Sequence, residues 1–537
     1  MKDRKTLFIA EQESKFASGR ISRRSFVSSV VAAGVGLPTA LGMASSVMAA
    51  TPKSGGHYRL GLGHGSTTDS LDPATYENGF LSNLSTSMFN CITEIAPDGS
   101  LRGDLAESWE AADGGATWIF NLRSGVEFHN GKTMTSEDVI ASLNYHRGED
   151  SKSAAKGLLS SVTDISADGP NRVVINLTEA NADFPFVIGD YHLVILPAEA
   201  DGSVNPVGGI GTGAYALNNF EPGVRAEMTR NGNFFRETYF DEVTILSIID
   251  ITARQNALLS GQVDVVDRLD PKTVSLLARS PAVNILESTG TLHYTFPMRL
   301  DVAPFDNYDL RMALKLSVNR QEMVDKILLG HGALGNDHPI SSSVPYHAGD
   351  LPQREYDPEK AAFHYKKSGH SGAIQLSASD AAFAGAVDAA QLIQASAGAV
   401  GIDIEVVREP SDGYWSNVWN KKGWSACYWG GRPTQDWMYS AAYTNDTEWN
   451  DTAWKGTEAS AKFNQIVVAA RSELDDTKRA AMYAECQALI NDDGGALVPM
   501  FANYIMGLSN KIGHAEDVAS NWSLDGSHSA ERWWFNS

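Results

Sequence analysis

Cysteine is scarce in this 537-residue chain: only Cys91, Cys427 and Cys486 occur, far apart and without a CxxC pair. That excludes a zinc ribbon, an iron–sulfur cluster and a disulfide-stapled miniprotein. Either one disulfide with one free thiol or three buried reduced thiols fits what remains. Positive charge is also short. Lys and Arg number 43 against 65 Asp and Glu, a net charge of −22. A surface that acidic repels phosphate backbones, so nucleic acid is not an expected partner. Charged residues at 20% are too few for a disordered chain, while 43% hydrophobic and 9% aromatic residues are enough for a large packed core. Length alone implies two to four domains of ~100–200 residues.

Signatures of catalysis and nucleotide binding are missing too. Gly61, Gly63 and Gly65 do not make GxGxxG, and Asp72-Pro73 breaks the chain where a helix would have to open. Gly211-Thr212-Gly213 lacks the Lys-Ser/Thr of a phosphate loop, and no GxSxG elbow occurs. The 13 histidines form no HExxH or HxH; His364 and His370 are six apart, His331 and His338 seven apart. Neither pair shares a helix face at i,i+4. No catalytic residue, no cofactor and no dedicated metal site is therefore expected.

Residues 1–50 read as an address. They hold seven basic and three acidic side chains, with Ser22-Arg23-Arg24-Ser25-Phe26 ahead of an apolar Gly/Ala-rich stretch from Val27 to about Met43. Val47-Met48-Ala49-Ala50 then places small residues where a signal peptidase cuts. The paired arginines before Phe26 resemble a twin-arginine signal. Cleavage is expected near Ala50 or Thr51, and no cysteine stands there to take a lipid. Beyond it no stretch reaches ~18 uninterrupted apolar residues, so the mature chain is expected to be soluble and periplasmic.

Periodicity divides the mature chain. Leu105–Glu110 and Thr117–Leu122 alternate around the turn Asp113-Gly114-Gly115, a hairpin pattern. Gly125–His129 reads as a further strand, and Thr135 with Asp138 as the capping box of a helix through Tyr145. Arg172–Leu177 is another strand, and 213–220 with 225–229 another hairpin. The second half is helical and alternating. Helices 310–317 and 322–329 are expected to be capped by Asp309 and Asn319, and a helix starts at Asp357-Pro358. Strand 374–378, helix 384–399 and strand 402–408 make a β-α-β order, followed by helices 459–471 and 477–491 and an apolar strand from 496 to 508.

The stretch Leu105 to Leu143 resembles the signature of the large periplasmic solute-binding proteins of ABC importers, family 5, the peptide, oligopeptide and nickel-binding class. It reads Leu-Ala-Glu-Ser-Trp-Glu, Asp-Gly, Trp-Ile-Phe-Asn-Leu-Arg-Ser-Gly-Val-Glu-Phe-His-Asn-Gly and Thr-Ser-Glu-Asp-Val. Further matches follow in order: Leu71-Asp72-Pro73, Gly211–Tyr215, Glu221-Pro222-Gly223, Gly261–Val265, Pro304–Asp306 with Arg311–Leu314, and Tyr356–Ala361. They span almost all of the mature chain. The resemblance implies an α/β fold, a two-lobed periplasmic-binding-protein clamshell of type II with an extra, mostly β subdomain. Lobe I would comprise 52–290 plus 497–537 with the subdomain at about 92–205, and lobe II 291–496. The chain would cross between lobes at Tyr294–Phe296 and Leu497–Pro499. A monomeric receptor would capture a peptide or peptide-like solute between the lobes and deliver it to the membrane permease and its ATPases. A non-peptide ligand, such as an opine, a sugar conjugate or a metal chelate such as nickel, is the alternative.

Seven of twelve tryptophans lie between Trp415 and Trp454, and a tryptophan face suits a pocket wall. Trp429 and Trp437, then Tyr414 and Trp415, are the expected cleft aromatics. Gly430 and Gly431 would let backbone approach a ligand. The resemblance further implies that Arg432 stands where dipeptide-binding relatives carry an Asp for the peptide amine, and Asp380 where they carry an Arg for the carboxylate. Arg432 and Asp380 would thus pair with each other or meet a ligand of opposite polarity, with Asp436 as another amine acceptor. A guanidinium fork suits a carboxylate or phosphate.

Overall fold

The computed structural model describes residues 12, 29–30 and 52–537, except 77, 411–413, 431, 446 and 448. The expected export signal, its arginine pair and its cleavage site fall outside the described residues. No helix among those described is long and apolar enough to cross a membrane.

Local sequence accounts for the subdomain. Strands Ala106–Ala112 and Thr117–Leu122 pair around Asp113–Gly115, where Gly114 takes φ 68°, a conformation that a Cβ penalises. Arg172–Leu177 and Val162–Ala167 complete a four-stranded antiparallel sheet. Alternation sends Trp118, Phe120, Leu122, Val173, Ile175 and Leu177 to one face, and helix Ser136–Tyr145 lays Val139 and Leu143 in the same core. Thr135 and Asp138 form the expected capping box. The strand expected at Gly125–His129 is reduced to one bridge, Glu127 to Thr133. The backbone N–H of Phe128 bonds Lys132 O across the Asn130-Gly131 turn, and that of His129 leaves for Gly211 O.

A nine-stranded sheet forms the spine. Its order runs Cys427–Trp429, Val283–Thr295, Met500–Ser509, Val265–Val266, His57–Leu62, Glu242–Ser247, Arg225–Arg230, Tyr215–Glu221, with Gly332–Leu334 pairing beside Met500–Ser509. Tyr58, Leu60, Val243, Ile245 and Met228 pack beneath it against helix Gly79–Met88. The 13-residue strand Val283–Thr295 pairs antiparallel with Met500–Ser509 along most of its length, and Phe296 N–H then donates to Leu497 O at 2.8 Å. This ladder joins the two lobes.

The second lobe contains the expected β-α-β unit. Ile374–Ala378 and Ile404–Arg408 pair in parallel, and helix Ala386–Gly398 crosses between them. Ala389, Ala390 and Ala397 are buried, which lets that helix lie close to the strands. Asn319 caps Arg320–Lys326 as expected. Asn307, not Asp309, caps Tyr308–Leu316, with its side chain accepting from Leu310 N; Asp309 instead holds His364 and Lys367 at 2.8 and 3.1 Å. All three cysteines are unpaired and buried, which selects the reduced-thiol alternative.

A buried carboxylate ties the lobe II loops to the ladder. Asp337, fully buried, accepts from Arg320 Nη2 at 2.6 Å and Val498 N at 3.1 Å and pairs with Arg354 Nε at 2.8 Å. Burial raises its pKa, but Arg320, Arg354 and Lys315 outweigh burial and hold it below the ordinary carboxylate value. A depressed carboxyl pKa stabilises the fold above the unfolded-state value of ~3.9, a contribution lost as pH falls through the folded-state value. Asp337→Ala leaves two arginines without their anion and should cost about 3–5 kcal/mol at pH 7. In denaturant titrations from pH 7 to pH 3, the deficit relative to wild type should narrow below pH ~4.

Candidate ligand-binding cleft

A cavity of about 320 Å³ opens between the lobes. One wall comes from helix Gly79–Met88, the segment from Phe89 to Ile95, and residues 186–194 and 521–528. The facing wall comes from lobe II, through Arg432, Pro433, Trp437 and Trp449. At about 30 Å³ per water the space holds on the order of ten waters, at the small end of ligand pockets.

Local chemistry positions the lobe II wall. Strand Cys427–Trp429 pairs with His293–Thr295, so the chain leaves the sheet edge at Gly430 and delivers Arg432 into the cleft. Thr434 then caps helix Gln435–Ala442, its hydroxyl accepting from Trp437 N at 3.3 Å, and Trp437 on the first turn reaches the cavity. The Arg432 guanidinium lies 6.0 Å from the Trp429 ring centre. Trp429 in turn packs against Trp419 and Trp449, ring centres 6.1 and 6.2 Å apart. Beneath these rings Asp451, buried, accepts both the Trp419 and the Trp429 indole N–H at 3.1 Å. One carboxylate therefore fixes two of the tryptophans behind the wall.

The opposite wall carries acids with partners of their own. Glu94 meets Arg102 Nε at 2.6 Å, Arg532 Nη2 at 3.2 Å and His528 Nε2 at 3.3 Å, and also pairs with Arg236. Burial works to raise Glu94, and these cations reverse it and hold the carboxyl low. Asp104 accepts from Arg236 at 2.8 Å and Asn90 at 3.0 Å. Asp190 is held by His192 Nδ1 at 2.5 Å, while His192 Nε2 bonds Tyr76 O at 2.7 Å. Tyr191 stacks on His192 and meets Trp522 edge-on. Burial lowers the pKa of Arg432, and the charges acting against that are Asp190 and Tyr191. Arg432 and Asp190 thus line one cavity from different lobes.

Of the residues proposed from sequence, Arg432 and Trp437 reach the cavity; Trp429 and Gly430 stand behind them and are not lining residues. Tyr414 is a core residue whose hydroxyl bonds Ala426 O at 2.7 Å. Asp436 is bonded by Arg471 Nε at 2.7 Å, so its carboxylate is turned within lobe II and does not line the cleft. Asp380 is exposed beyond strand Ile374–Ala378, away from the cavity lining, and is not among the charges acting on Arg432. Gly431 and the Trp415 side chain lie outside what is described. Asp190, Tyr191, Trp522 and Trp449 were not singled out from the sequence as cleft residues. Only Trp449 carried a sequence signal, as a member of the tryptophan run.

This arrangement, a small cavity between two lobes joined by one strand ladder, is the periplasmic binding-protein fold of type II. Residues 100–451 match the family model described as bacterial extracellular solute-binding proteins, family 5 Middle, and the chain belongs to that family. Heme-binding protein A of Haemophilus influenzae is 24% identical over 342 residues, 57% of this chain and 61% of that protein. The di/tripeptide-binding protein 1 of Pseudomonas aeruginosa is 25% identical over 368 residues, 62% of this chain and 67% of that protein. The match thus spans only about three-fifths to two-thirds of these relatives. Among solved structures, the periplasmic binding protein AgaA of A. tumefaciens R10, in complex with agropinic acid, superposes with a TM-score of 0.72 at 20% identity. It covers 90% of this chain and 99% of that one.

The Asp451 clamp gives a pH test. Burial, against the pull of the two indoles, raises the Asp451 carboxyl to about 6. A raised carboxyl pKa means that the folded state binds the proton more tightly. Its stabilising contribution is therefore present below ~4 and lost as pH rises to about 6. Asp451→Asn keeps an acceptor without the charge. Melting temperatures of this variant and wild type should diverge between pH 4 and 6, with the variant flatter. Asp451→Ala strands both indole donors and should lose about 1–3 kcal/mol at either pH.

Proposed function

We propose that this protein is the extracytoplasmic substrate-binding component of an ABC importer. It would capture a peptide or peptide-like small solute between its lobes and hand it to the permease, whose ATPases drive transport. The observation that carries the reading is the cavity itself: Arg432 and Trp437 from one lobe, Asp190 and Trp522 from the other, with a solute-sized space between. The peptide ligand of the Pseudomonas relative supports the substrate class. The agropinic acid bound by AgaA favours an opine-like conjugate as the second reading, as does an arginine where dipeptide binders are expected to carry an acid. Lobe I would be 52–290 with 497–537, including the subdomain at 92–205, and lobe II 291–496. Support for the division comes from the grouping of the buried cores: 58–265 packs with 506–533, the subdomain core stays within 92–195, and two further cores draw on 296–426 and 427–498, with 497–502 packing against both of these. The protein would be a monomer without catalytic activity, exported to the periplasm through its paired arginines.

In the closed cleft Arg432 is the anion grip. Titrated with the solute released by denaturing protein purified from its native periplasm, Arg432→Ala should weaken binding by about 1.5–3 kcal/mol, roughly ten- to a hundredfold. Arg432→Lys should recover only part, because a point charge lacks the fork. Unchanged affinity in Arg432→Ala would remove the anchor. N-terminal sequencing of the exported protein should begin at Ala50 or Thr51; an intact Met1 in the membrane fraction would contradict the export reading.

A further inference from the structure

Away from the cavity, a second set of contacts joins the subdomain to lobe II. Arg479, on helix Asp476–Asp492, places Nη2 2.7 Å from Asp183 Oδ1, and both side chains are only 5% exposed. Alongside, Ala182 N–H donates to Arg471 O at 2.5 Å. Arg471 is the residue that holds Asp436, on the helix carrying Trp437. The two sides belong to separate cores. Phe184, next to Asp183, packs in the subdomain core with Trp118 and Val139, whereas Tyr483, one turn beyond Arg479, packs with Tyr439 and Phe463. Among the described residues no strand ladder links these cores: the four strands of the subdomain sheet pair only with one another, and the spine pairs other segments. The Asp183–Arg479 pair is thus a contact between two cores that no strand pairing holds together.

Its two halves are unequally provided for. Arg479 lies between two rings, 5.6 Å from Tyr346 and 5.4 Å from Tyr483, and its Nε donates to Ala470 O at 3.1 Å. All three partners are lobe II residues, so the arginine is presented whether or not the cleft is closed. Asp183 gains only one well-formed bond on closure. Its Oδ2 is buried without a hydrogen bond of ordinary geometry among the described residues, with Thr434 also helping Arg479 to support its charge. Burial and the nearby Asp436 work against the ionised carboxyl, and burial is the larger of the two. Removing two charges from water for one direct bond, with one oxygen left poorly served, returns less than the desolvation takes away.

We propose that the Asp183–Arg479 pair is a closure brake: an ion pair, formed only across the shut cleft, whose desolvation keeps the ligand-free receptor open until a solute contributes the missing binding energy. This rests on the reading of the protein as a receptor that closes on its solute. Replacing the pair by apolar side chains of similar size should relieve the penalty and shift the free protein toward the closed form. Removing one charge alone should open it further.

Spin labels at Ser166→Cys and Gln465→Cys, both exposed and one on each side of the contact, report the inter-lobe distance by pulsed electron resonance. Cys427 and Cys486 are buried away from the cavity, and Cys91, which lines it, is replaced (Cys91→Ser) in every labelled protein. In the ligand-free full chain the long distance should predominate, and low-molecular-mass yeast extract should add a short one. Asp183→Leu with Arg479→Met should raise the short-distance share about tenfold without extract. Arg479→Met alone should lower it and demand more extract. Asp183→Asn with Arg479→Gln, which removes both charges while staying polar, serves should the apolar pair misfold, and should shift in the same direction. A double variant with the wild-type distribution, or with less of the short distance than wild type, overturns the brake while leaving closure standing. If neither extract nor any variant yields a short distance, closure fails and the brake fails with it.

Discussion

The antiparallel ladder between Val283–Thr295 and Met500–Ser509 is the constraint on which the rest depends. Its register runs unbroken from Val283 opposite Ser509 to Thr289 opposite Asn503, then resumes at His293 opposite Phe501. The first strand thus carries two more residues than the second across this interval, and a bulge there bends the ladder where the lobes part. Gly290 sits in the bulge. A Cβ on it would meet Ser520 O at 2.5 Å and the Tyr504 ring at 2.3 Å, so only glycine permits this approach. Beyond the bulge the strand changes partner: His293, Tyr294 and Thr295 also take up Trp429, Tyr428 and Cys427. The position of Arg432, three residues past that edge strand, is therefore a consequence of ladder register. A one-residue slip would turn the edge strand's side chains to the other face.

What could be read from the sequence was what is local. The hairpin at 106–122, the Thr135 capping box and the β-α-β order of 374–408 are encoded within a dozen or two residues, and alternation or a cap suffices to reveal them. Asp309 shows the limit. It stands two residues inside the helix that Asn307 caps, and its carboxylate is claimed by His364 and Lys367 from the next helix but one. The site divides in the same way. Trp437 stood out as a member of the tryptophan run and Arg432 through the family resemblance, and both reach the cavity. Asp190, Tyr191 and Trp522 were missed because nothing in their neighbourhoods is periodic or repeated; only the fold brings residues 186–194 and 521–528 to one wall. Asp436 looked available for the same reason in reverse, since the Arg471 that takes it up is 35 residues away.

Charge in the cleft follows a consistent pattern. The lobe I side places Glu94 and Asp104 in the cavity wall, yet each is closed off by arginines that lie behind it: Arg102 and Arg532 for Glu94, Arg236 for both. Such pairs hold the wall's shape and leave little charge to attract a ligand. Arg432 is different. It is largely desolvated, it rests on a tryptophan fixed by a carboxylate that does not itself reach the guanidinium, and the acid acting on it belongs to the other lobe. The guanidinium and Asp190 therefore face one cavity from opposite walls, with Asp190 held in place by His192. Closure over the guanidinium takes it out of water, a cost that the charge of Asp190 on the facing wall partly offsets. A solute that offers an acceptor to the guanidinium and fills the space between Trp437 and Trp522 removes that deficit at the point where the lobes meet. On the function proposed above, selectivity and closure would share one physical origin, because the groups that would recognise the ligand are groups whose desolvation resists shutting.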